Sequence, residues 1–220
     1  MRSSILTVTM AGMASAVVLP RIAIMSESKG FRLLVRVHDY DTDLAAQVNN
    51  KYIGGIHIGA AREGVLPILD GSKGPVFWVN GTDAELQANQ GHVFSDLDNG
   101  MYPLGWQIYK NPDTLLGSVE MAPGLQTAGV SVFDGGLDGP AYLQPTDYMA
   151  CLRPAVYTGE LTPFIFQRDT KDNAKLPEDC VIVKLLPECA YLQDLPAGAT
   201  YNHDHAQTSR CYVDAFDGGY

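Results

Sequence analysis

The chain has 220 residues, 46% of them hydrophobic and 18% charged, with 22 Gly and 13 Pro. That balance excludes an intrinsically disordered chain and fits a folded, loop-rich protein able to bury its own core. Its 25 acidic against 15 basic residues give a formal charge of -10, a field that repels phosphate backbones and anionic lipid, so neither nucleic acid nor a membrane surface is an expected partner.

Residues 1–16 open with the basic Arg2, continue through an apolar run from Ile5 to Met13 and close on Ala14-Ser15-Ala16. This is the pattern of a cleaved export signal, because the peptidase accepts small side chains on either side of Ser15. Residues 17–220 then form one secreted domain. No later segment approaches the roughly 20 apolar residues that cross a bilayer, and Phe216 to Tyr220 has no hydrophobic tail for a lipid anchor.

Phe31 to His38 alternates large apolar residues with Arg and His, the period of a half-buried strand, and is expected to be the first strand of the domain. Asp39, Asp41 and Asp43 follow at alternate positions, the oxygen-rich spacing that a calcium ion accepts. The EF-hand pattern fails, however, since Leu44 stands where its Gly belongs and Asn50 where its Glu belongs. Tyr52 to Ala60 and Val65 to Leu69 read as short strands, and Asp70 to Gly74 as a turn into Pro75 to Val79, the spacing of successive hairpins. Asn80-Gly81-Thr82 is an N-glycosylation sequon at the end of that run, where a turn would expose it.

Asp83 to Asn89 favours a helical turn. Further strands are expected over His92 to Ser95, Trp106 to Lys110, Leu116 to Met121, Val130 to Phe133, Tyr148 to Leu152, Leu161 to Gln167 and Cys180 to Leu186. Many short strands punctuated by Gly, Pro, Asn and Asp predict a mainly β fold, an antiparallel sandwich or barrel with short helical turns. Asp96, Asp98 and Asn99 form a second acidic cluster open to a calcium reading. Glu160 reads as a charge on an edge strand.

The four cysteines, Cys151, Cys180, Cys189 and Cys211, lie in the C-terminal third, and their even number suits an oxidising compartment. The strand-like run Val181 to Leu186 would hold Cys180 and Cys189 roughly 20 Å apart, beyond the about 7 Å a disulfide allows between Cα atoms. Of the two remaining connectivities, Cys151 with Cys180 and Cys189 with Cys211 closes the shorter loops. No zinc spacing is present; His203 and His205 would share a side if their segment were extended.

Signatures of chemistry are missing: Gly129 to Phe133 lacks the last Gly of a nucleophile elbow, and no phosphate-cradling loop occurs. No catalytic residue and no cofactor is nominated. Trp78, Trp106, Tyr102 and Tyr109 suit core packing, or sugar stacking if exposed.

Leu186 to Ala190, Asp194 to Ala199, Tyr201-Asn202-His203 and Arg210-Cys211-Tyr212, together with Val76 to Thr82 and Phe31 to Val37, resemble a group of secreted fungal proteins described as IgE-binding-protein-like. The resemblance implies an extracellular protein without an established catalytic site. Two functional expectations follow: a non-enzymatic protein that binds a host extracellular protein or cell-wall polysaccharide in the manner of an effector, or a carbohydrate-active enzyme or binding module directed at the wall.

Overall fold

The structure, a computed structural model, describes residues 23–96, 102–112, 114, 116–124, 126–136, 139–168 and 176–217. Residues 1–16, read above as an export signal, and the pair Asp98 and Asn99 lie outside the described residues. Fifteen strands are described: β1 (Met25–Ser28), β2 (Gly30–Val37), β3 (Ile53–Gly59), β4 (Arg62–Pro67), β5 (Phe77–Asn80), β6 (His92–Ser95), β7 (Leu104–Lys110), β8 (Leu116–Ala122), β9 (Ser131–Asp134), β10 (Ala141–Gln144), β11 (Tyr148–Pro154), β12 (Leu161–Arg168), β13 (Cys180–Ala190), β14 (Ala206–Gln207) and β15 (Ser209–Tyr212). Two short helices, α1 (Asp43–Val48) and α2 (Asp83–Gln87), accompany them.

Among the described residues, eight strands close a ring in the order β2, β5, β6, β7, β8, β12, β11, β13 and back to β2, every neighbouring pair antiparallel. The fold is therefore mainly β, and of the two expected architectures it is the barrel. Closure removes the exposed edges that an open sheet of this size would carry.

The barrel is filled. Register pairs such as Phe31 with Phe77, Trp106 with Met121, Ile108 with Val119 and Leu185 with Val35 aim one face of each strand into a single apolar cluster. Phe31, Phe77, Trp106 and Tyr148 supply its bulk, and Phe77 and Tyr148 each meet Trp106 edge to face. Truncating a side chain such as Trp106 here costs about 3–5 kcal/mol.

Chain order differs from the sequence reading in instructive places. The first described strand is β1, which pairs with β15 ahead of the Phe31 strand. β3 and β4 do form a hairpin, but β4 pairs on with β8 while β5 joins β2 and β6. The Asp70 to Gly74 turn is thus a crossover rather than a hairpin. Asp43, read as part of an acidic loop, opens α1: Thr42 caps that helix by accepting from the Ala45 N–H at 3.1 Å, and Leu44, Ala45 and Val48 are buried in the core. The helical spacing of those apolar residues was masked by the aspartates before them.

Smaller clusters clothe the barrel's exterior. Leu34 and Leu186 lie under Tyr52, Ala141, Tyr212 and Ala215. Trp78 and Phe94, on the outer face of β5 and β6, lie under Leu192, Tyr201 and Ala206 from the C-terminal segment. Cys151 pairs with Cys180, its register partner across β11 and β13, and Cys189 with Cys211, which ties β13 to β15.

Candidate functional site

The segment between Cys189 and Cys211 leaves the barrel at the end of β13, crosses the outside of β5 and β6, and returns as β14 and β15. Between its crossing loop and Lys29 lies an open cleft of about 630 Å³, lined by Asp194, Leu195, Pro196, Gly198, Ala199, Tyr201, Asn202, His203 and Asp204. That volume lies within the range of small-ligand sites.

Asp96, at the end of β6, anchors the loop. Its Oδ1 accepts from Trp78 Nε1–H at 2.9 Å and from the Tyr201 hydroxyl at 2.8 Å. His203 Nε2 lies 3.0 Å from Oδ2 but outside hydrogen-bond alignment. The Tyr201 ring lies parallel to the Trp78 indole at 6.5 Å, and the His203 ring meets that indole edge to face at 4.8 Å. Burial, with the Asp96 bond second, pushes the Tyr201 phenol well above its usual range, so it stays a neutral donor at any physiological pH. With Oδ1 bonded to both Trp78 and Tyr201, Asp96 acts as a clamp that fixes the cleft wall.

The arrangement corrects the extended reading of His203 and His205. Ala206 N–H donates to the His203 carbonyl across a turn, His203 turns toward Asp96, and His205 is exposed. Asp39 and Asp41 stay in the exposed loop before α1, where Asp39 Oδ1 accepts from the Asp41 N–H at 3.3 Å, and Asp43 is in the helix. Among the described residues no group of three or more His, Cys, Asp or Glu is placed to hold a metal ion.

Trp78 and Trp106 are 2% and 0% exposed, so neither indole is open to a ligand, while the half-buried Tyr102 packs against the core and Tyr109 has the Arg62 guanidinium over its ring at 5.2 Å. Glu160 is on the exposed turn between β11 and β12, not within a strand. Asn80 is half-buried on β5, in register with His92 and Ala206, and Thr82 is the N-cap of α2.

A second polar knot escaped the sequence reading. Glu188, on the outer face of β13 and nearly buried, has the Tyr52 hydroxyl at 2.8 and 2.9 Å from its two oxygens, the Ala215 N–H at 3.3 Å and Lys73 Nζ at 3.4 Å. Burial and then Glu188 hold the Tyr52 phenol far above its ordinary value. The knot fastens the C-terminal turn to the barrel, since Arg36 also donates to the carbonyls of Ala215 and Phe216. Its only signal in the sequence is a Glu inside an apolar strand.

Comparison with known proteins relates this chain to others by sequence. The antigenic protein SchS34 of Stachybotrys chartarum is 32% identical over 212 residues, which cover 91% of this chain and 93% of that protein. No solved structure gives a significant match. The likeness to an antigenic protein of a fungus agrees with the resemblance read from the sequence, although neither match carries its IgE-binding label. With the family model described as "Domain of unknown function (DUF7907)" matching residues 28–189, the chain belongs to that family.

Proposed function

We propose that this is a secreted fungal protein that acts outside the cell without catalysis, binding a cell-wall or host extracellular component in the cleft beside the Cys189–Cys211 loop. The carrying observation is the clamp: Asp96 Oδ1 accepts from both Trp78 and Tyr201, with His203 set against Oδ2, which supports an immobilised recognition surface rather than a carboxylate freed for proton transfer. Export is supported by the two disulfides and by the segment 1–16, and the relative's description as antigenic suits an extracellular address. The cleft rim carries Lys29 against Asp194 and Asp204, chemistry suited to a polar ligand.

The test is binding of purified protein, residues 17–220, to a panel of wall polysaccharides and host extracellular proteins. The wild type is expected to retain a member of that panel, and Lys29→Ala with Asp194→Ala, both exposed, to weaken the retention while the fold stays intact. Retention unchanged by the double substitution overturns the cleft as the site.

A further inference from the structure

The turn joining β11 to β12 is a braced apex. Ala155 N–H donates to the Glu160 carbonyl at 2.9 Å, Gly159 N–H to the Ala155 carbonyl at 2.8 Å, and the Thr162 hydroxyl to the Glu160 carbonyl at 3.3 Å. Gly159 closes the turn at φ +71°, a conformation that side chains with a Cβ rarely adopt. The braced backbone holds apolar side chains out in solvent: Val156, Tyr157 and Leu161 are 64%, 66% and 67% exposed. Beneath Tyr157, the His57 ring of β3 lies parallel to it, 5.7 Å between centroids and 6° between planes. One face of the phenol is thus backed by an imidazole, while the side chain as a whole remains 66% exposed.

Charge narrows what would cover it. Arg153 is paired with Asp179 and Arg62 with Glu120, so these cations near the hairpin are neutralised, while the apex itself carries Glu160 and the whole chain -10. An anionic polymer or lipid surface is repelled, and an exposed aromatic ring whose nearby cations are paired suits the C–H face of a sugar ring.

We propose that this apex is a stacking platform for the pyranose rings of a neutral polysaccharide, with Tyr157 as the contact ring and His57 as its positioning residue. The proposal goes beyond the cleft reading above and concerns a second, separate surface.

The experiment measures binding of the intact protein to β-glucan and to acetylated chitin oligosaccharides, with phosphatidylcholine vesicles and the oligomeric state measured in parallel. Tyr157→Ala is expected to weaken glycan binding roughly fivefold or more, while Tyr157→Trp preserves it. Tyr40→Ala, at another exposed tyrosine, is expected to change nothing. Near-UV circular dichroism confirms that each variant is folded. The platform is overturned if no neutral glycan binds, or if Tyr157→Ala binds as the wild type does. It is equally overturned if that variant alters only vesicle binding or self-association. Loss of glycan binding in Lys29→Ala with Asp194→Ala, but not in Tyr157→Ala, overturns the platform and leaves the cleft standing. Absence of all glycan binding leaves the cleft's host-protein arm untouched.

Discussion

The Tyr148 phenol sits inside the barrel against the Trp106 indole, and neither its hydroxyl nor Trp106 Nε1 meets a partner in hydrogen-bond geometry. Burial drives that phenol far above its usual range, and the nearby indole N–H only partly offsets it. A buried polar group without a partner costs about 1–3 kcal/mol of desolvation. Tyr148→Phe, which keeps the ring and deletes the oxygen, is therefore expected to leave stability unchanged or raise it by up to about 1 kcal/mol. Urea unfolding measures this, and a clear loss would mean that an internal water or the indole satisfies the hydroxyl. Asp96 teaches a complementary lesson: in the sequence it is one acidic residue in a polar turn, and its meaning comes from Tyr201, 105 positions away. No local pattern carries a contact of that range, so the clamp was not legible, whereas the apolar roles of Trp78 and Trp106 were.

Helix α2 has five residues and buries none of them, so its ends decide whether it forms. Thr82 and Glu85 make a reciprocal cap: the Glu85 carboxylate accepts from the Thr82 N–H at 2.7 Å, and the Thr82 hydroxyl accepts from the Glu85 N–H at 3.3 Å. The bond from the Thr82 backbone, aided by its hydroxyl, lowers the Glu85 pKa below the ordinary carboxylate value. A carboxylate lowered on folding stabilises fully above its unfolded pKa of about 4.3 and loses that contribution as pH falls through the folded value. Wild type is thus expected to exceed Glu85→Gln in urea midpoint at pH 7, with the gap closing as pH drops below about 4. A gap that stays constant with pH would assign the cap to shape rather than charge. The sequence displayed this element well, because the capping residues and the helix formers are contiguous. It hid α1, where Thr42 caps one way, with Ala45 in the position of the reciprocating Glu, and follows Asp39 and Asp41.

For the whole molecule, alternation along Phe31 to Val37 announced a strand and loop lengths favoured the cysteine pairing that the structure shows. Ring closure was not visible, because β2 meets β13 from the far end of the chain, and neither strand's pattern names its partner. β14, with two residues, is too short to show any period. The disulfides bear unequal duties in this frame. Cys151–Cys180 joins strands already hydrogen-bonded in register, while Cys189–Cys211 closes the loop that walls the cleft. Replacing Cys189 and Cys211 with Ser is expected to lower stability by about 2–4 kcal/mol and to alter the emission of Trp78, whose cover is the loop. An unchanged Trp78 signal would show that the Asp96 clamp alone holds the cover in place.

Apart from Lys29, the cleft's whole lining lies between two sulfur-linked positions. A peptidase that cuts there hydrolyses a bond without liberating a fragment, and the nicked molecule keeps its size until the bridge is reduced. Any decline in ligand capture under proteolytic attack would then track slackening of the wall rather than its departure, and would precede any mass change on a non-reducing gel.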